Sequence, residues 1–130
     1  MKLIFRILLL STFIILSINL NAQLLNEIES ELLNEHFEAE RGEFDFKNKK
    51  VGFFHSTSVW TKEEFFKDLI EWNESNQTMS NQFIILTEDE KEKSGGYDVF
   101  IYAWSKILIS RTQVGEHIEK IKKNEAQQRL

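Results

Sequence analysis

The chain has 130 residues, enough for one domain, and a formal net charge of −5, which makes nucleic acid and anionic membrane surfaces poor partners. It contains no cysteine, so disulfide staples, lipidation at a cysteine, thiolate catalysis and cysteine-based zinc sites are all excluded. Proline is absent too, and boundaries between elements must be read from Gly, Asn and Ser alone.

The first stretch, MKLIFRILLLSTFIILSINLNAQ, places Lys2 and Arg6 ahead of an apolar run and a polar patch that closes on Asn21-Ala22-Gln23. That layout predicts a secretory signal peptide over residues 1–22, cleaved after Ala22. Residues 23–130 are then a single small α/β domain, exported to a periplasmic or extracellular location. Without Lys2 and Arg6 the formal charge moves from −5 to −7. Two alternatives stay open. Residues 3–20 are long enough to span a bilayer as an uncleaved anchor, the one reading that makes a membrane a partner; or they form a buried core helix.

Leu24, Leu25, Ile28, Leu32, Leu33 and Phe37 recur at helical spacing and predict an amphipathic helix from Leu24 to about Glu40, stopped near Gly42. Phe44 and Phe46 alternate with acidic residues, as in a short strand or an extended lead-in, and Asn48-Lys49 suits a turn. Val51 to His55 reads as a strand. Thr61 with Glu64 writes a capping box for a helix whose buried stripe is Phe65, Leu69 and Trp72, widened by Phe66 and Ile70. Residues 73–81 are polar and read as a loop, and QFIILT is a second strand. Thr87 with Glu90 is a second capping box, for a short exposed helical turn that Gly95-Gly96 ends. YDVFIYAW is a third strand. Val99, Ile101 and Ala103 face one way and Phe100, Tyr102 and Trp104 the other, so it should be covered on both sides. SKILIS fits a continued strand, an edge strand or a helix start. Val114, Ile118 and Ile121 then mark a last helix with Thr112 as its cap.

This order predicts an α/β fold: a small, mostly parallel sheet of three to four strands with flanking helices. Ligands of such sheets bind at the carboxyl edge of the strands. The candidate ligand-binding residues delivered there are His55, Ser56, Thr57 and Ser58 after the first strand, Glu88 after the second, and Trp104 at the end of the third. Ahead of a helix N-terminus, HSTS would suit an anion; the same hydroxyls serve equally as turn and cap residues. The stretch FFHSTSVWT resembles the phosphate-binding loop of flavodoxins, and YDVFIYAW is similar to their third strand, although Val59 and Phe65 stand where that family has small residues. The resemblance implies a parallel strand order rather than a flavin, and no cofactor is expected.

No nucleophile elbow of the G-x-S-x-G type is present. His36, His55 and His117 lie in different elements without metal-ligand spacing, so neither a catalytic residue nor a metal is assigned. Trp60, Trp72 and Trp104 read as core and rim packing rather than a carbohydrate platform. The sequence thus describes an exported α/β module with a binding or accessory role and a protein or small-anion partner. The alternative is a phosphate-ligand binder or small enzyme built around His55-Ser56-Thr57.

Overall fold

A computed structural model describes residues 24–128; the expected signal segment, residues 1–22, lies outside them. The chain divides into two compact units, one ending at Lys50 and the other beginning at Val51.

In the first unit, Asn26 caps helix α1 (Glu27–His36) through a reciprocal box. Its side chain accepts from the Glu29 N–H at 2.8 Å, and the Glu29 carboxylate accepts from the Asn26 N–H at 2.9 Å. The helix therefore begins later than the apolar periodicity suggests, because the cap rather than Leu24 sets its start. It also breaks at Phe37, and a single turn α2 (Glu38–Arg41) follows before Gly42 takes a positive φ of 59°. Phe44 and Phe46 form no strand. Asn34 holds this segment instead: its amide donates to Asp45 at 2.8 Å and accepts from the Phe46 N–H at 3.0 Å. Phe46 stacks on Phe37 with ring centroids 5.7 Å apart.

The second unit is a four-stranded sheet in the order β2-β1-β4-β3, with β1 at Val51–His55, β2 at Ser58–Trp60, β3 at Asn81–Ile85 and β4 at Val99–Ala103. Helix α3 (Lys62–Glu74) follows β2, α4 (Glu88–Ser94) joins β3 to β4, and α5 (Val114–Gln128) closes the described chain after a 3₁₀ turn at Arg111–Gln113. The expected Thr87–Glu90 capping box is made with both bonds, whereas at Thr61 only half of the expected box forms, Thr61 accepting from the Glu64 N–H at 3.1 Å.

The sheet is mixed, not mostly parallel. β1 and β4 are parallel, whereas β2 runs antiparallel to β1 and β3 antiparallel to β4. The reason lies in HSTS. Ser56 and Thr57 are the two residues of a hairpin turn, closed by the pair His55↔Ser58, with Ser56 at a φ of 54°. Ser58 to Trp60 consequently run back along β1 before α3 begins. One unforeseen strand inverts the direction in which the chain next meets the sheet, and β3 enters pointing the other way. The likeness of FFHSTSVWT to a strand-to-helix phosphate loop fails for the same reason.

Alternation along the strands builds two apolar layers. On one face Phe53 meets Phe65 and Phe66 of α3, at centroid distances of 4.9 and 5.9 Å. On the other, Phe54, Phe100 and Tyr102 pack with Val114, Ile118 and Ile121 of α5 and with Tyr97, Leu86 and Ile109. β4, at the centre of the sheet, is buried at every position, as its two apolar faces require. Gly52 sits beneath this second layer. A Cβ there would stand 2.7 Å from Cδ1 of Phe100 and 2.8 Å from Cδ1 of Ile121. Gly52→Ala is therefore expected to destabilise the unit by about 1–3 kcal/mol through overpacking; urea denaturation at neutral pH checks this, and an unchanged midpoint would show that the layer yields freely.

Candidate functional site

The carboxyl ends of β1 and β4 and the amino end of β3 meet on one rim, where His55 pairs in register with Ala103 and Ala103 with Asn81. His55, Ser56 and Trp104 come together there, with Thr57 and Ser58 in the adjoining turn. Glu88 does not join them. The antiparallel course of β3 carries its carboxyl end, Ile85, to the level of Val99, at the opposite end of the sheet. There Glu88 lines a shallow surface depression of about 540 Å³ with Asp89, Lys91, Glu92 and Gly96. An acid–base pairing of His55 with Glu88 has no geometric basis.

Backbone and indole groups of the rim are bonded within the protein, whereas His55, Ser56 and Ser58 are exposed. The Ser56 N–H donates to the Ala103 carbonyl at 2.7 Å, extending the parallel ladder by one step, so it is not turned toward an anion. The Thr57 carbonyl accepts from Lys120 Nζ of α5 at 3.0 Å. The exposed His55 ring lies edge-on to Trp60, with centroids 4.9 Å apart.

Trp104 adopts a φ of 57°, a left-handed conformation that is uncommon for a bulky residue. Three contacts hold it there. Its N–H donates to the Ser80 carbonyl at 2.6 Å, its indole N–H donates to Asp68 of α3 at 3.1 Å, and its ring meets Trp72 edge-on at 4.6 Å. Beyond Trp104 the chain leaves the sheet, and SKILIS becomes neither strand nor helix but a loop organised by one side chain. Gln82 donates through Nε2 to the Ser105 hydroxyl and the Ile107 carbonyl, both at 2.8 Å, and its Oε1 accepts from the Ile109 N–H at 2.9 Å. Ser105 adds a bond to the Ile107 carbonyl at 2.8 Å.

The loop so fixed buries Ile109 but leaves Ile107 77% and Leu108 85% exposed. Two adjacent aliphatic side chains standing in water on a braced loop are an unusual use of apolar surface, whereas a single exposed leucine is ordinary. Sequence reasoning missed this pair. The available signal was the pattern itself, since SKILIS suits no regular element and its apolar residues have no periodic place in a core.

On the α5 side of the sheet, the Tyr102 hydroxyl lies 2.7 Å from Nδ1 of His117 inside the apolar layer. Burial raises the phenol well above its ordinary range, so it stays protonated and is placed to donate to the imidazole. Burial, helped by the charge of Lys120, holds His117 below its ordinary value, against a smaller opposing pull from Glu116. Among the described residues no group of three acidic or histidine side chains is arranged to hold a metal ion.

Replacing Gln82 by Leu removes three bonds to the 105–109 loop and is expected to cost about 1–2 kcal/mol, with proteolytic cleavage concentrating at Ile107–Leu108. Limited proteolysis with mass analysis reads both effects, and a variant cut no faster than the parent chain would show that Gln82 does not brace the loop.

No curated protein and no solved structure matches this chain. Residues 21–123, which include the Asn26 and Thr87 capping boxes, the whole sheet, the braced loop and the greater part of α5, match a family model described as Domain of unknown function (DUF8192), and the chain belongs to that family.

Proposed function

We propose that this is an exported binding or accessory module without catalytic chemistry, and that it makes contact through the Ile107–Leu108 tip. The signal-like order of charge and apolar residues at the N-terminus supports export. The observation that carries the binding reading is the contrast between rim and loop. The rim's backbone donors at Ser56 and Trp104 and the Trp104 indole N–H are taken up internally, while Gln82 and Ser105 hold the loop that presents two aliphatic side chains to solvent. Exposed aliphatic residues on a pre-set backbone suit an anchor, because ordering them on contact costs little further entropy.

A photo-crosslinking residue at Leu108, in cells that export the full chain, is expected to give a discrete adduct. The same residue at the exposed Lys67 on α3 should give none, and Ile107→Ser should weaken the Leu108 adduct. Equal labelling from the two positions would remove the tip from the binding surface. Inorganic phosphate is expected to leave the thermal midpoint unchanged, and Ser56→Ala likewise; a phosphate-dependent rise that Ser56→Ala abolishes would favour an anion at the turn instead.

A further inference from the structure

We propose that the buried Tyr102–His117 pair is an acid-sensitive latch on α5: protonation of His117 raises the population in which this helix stands off the sheet while the strands remain paired. The geometry is that of a titratable ring set into an apolar layer with one polar contact. His117 is 1% exposed, its ring lies 5.3 Å from that of Phe54 and 5.1 Å from that of Tyr102, and the Tyr102 hydroxyl reaches Nδ1 at 2.7 Å. In the tautomer protonated at Nε2, the neutral imidazole accepts that hydrogen bond. In the imidazolium Nδ1 also carries a proton and donates to the phenol oxygen, so the phenol must turn its own proton away from the ring into the apolar layer.

The surroundings offer the cation little. From β4 the facing group is the neutral phenol. β1 contributes Phe54, its only titratable residue, His55, being two-faced away on the other side of the sheet with Phe53. β2 carries no titratable side chain. From α4, Glu90 acts on the Tyr102 hydroxyl, but it is paired with Arg111 at 2.6 Å, and Arg111 acts in the opposite sense. On α5 itself Lys120 repels a charged His117 and Glu116 partly compensates. Glu125, further along, accepts from the Tyr97 hydroxyl.

The sign follows from linkage. Docking lowers the imidazole below its ordinary value of 6.5, and opening restores it. Above that value both forms are neutral and the latch holds fully. Below it the open form binds the extra proton first, so opening gains up to about tenfold per pH unit, until the docked imidazole is itself protonated. The other layer of the sheet, where Phe53 packs on Phe65 and Phe66, contains no part of this pair.

Hydrogen exchange of the full chain at pH 7.5 and pH 5.0, corrected for the intrinsic rate, tests the latch. Peptides within Val114–Gln128 are expected to lose up to about tenfold in protection for each pH unit below 6.5, while those of β4 keep theirs. His117→Gln, which retains an acceptor for Tyr102 but does not titrate, should hold α5 protection constant with pH. His36, also lowered by burial, remains in that variant, so the readout is confined to α5. Should the variant fold poorly, the imidazole resonance of His117 in the parent chain must titrate together with α5 opening. Constant α5 protection across the range, equal loss in α5 and β4, equal acid sensitivity in His117→Gln, or a His117 titration that does not track opening would each overturn the proposal.

Discussion

The reversal at Ser56–Thr57 is the constraint on which the second unit depends. A positive φ at Ser56 folds the chain back on β1, and the Ser56 N–H is fastened to the Ala103 carbonyl of the neighbouring strand. The turn is thereby tied into the parallel β1–β4 ladder rather than left as a free loop. Because β2 retraces β1, α3 starts part-way back along the sheet, and the direction of β3 follows. Backbone pairing of His55 with Ser58 closes this hairpin, and Lys120 donates to the Thr57 carbonyl.

Around that frame the two apolar layers are unlike in character. The α3 side is built from phenylalanine contacts, Phe53 against Phe65 and Phe66. The α5 side places a histidine among Phe54, Phe100 and Tyr102. A phenylalanine or leucine at position 117 would take this partner from the buried Tyr102 hydroxyl, so the imidazole satisfies the phenol and brings a dependence on pH with it. The unit is consequently asymmetric in what it can sense: one helix is held by surface burial, the other by burial and a hydrogen bond that a proton reverses.

At the rim an uncommon backbone conformation is held by contacts within the protein. Trp104 is held in a left-handed conformation by Ser80, Asp68 and Trp72. That kink ends β4 and starts the loop whose shape Gln82 then fixes. The costs of an unfavourable φ and of two aliphatic side chains in water are offset by the hydrogen bonds and ring contact of this network. Such an arrangement is consistent with a surface whose partner supplies the missing apolar contact.

Much of the local structure was legible in the residues. The Thr87–Glu90 box, the stop at Gly95, the doubly apolar β4 and the Val114–Ile118–Ile121 stripe each follow from interactions within a few positions in sequence, where propensity and hydrogen-bond geometry suffice. The rest required partners distant along the chain. Ser58 to Trp60 became a strand only because β1 lay alongside, and a three-residue strand carries too short a pattern to be seen alone. The course of β3, and with it the separation of Glu88 from His55, depended on that one hairpin. Ile107 and Leu108 were visible as apolar letters, but their exposure was decided by Gln82, 25 residues from Ile107, binding the loop backbone. Sequence determines which segments can bury a face; which end of the sheet each segment reaches is set by chain reversals that only the assembled hydrogen-bond ladder reveals.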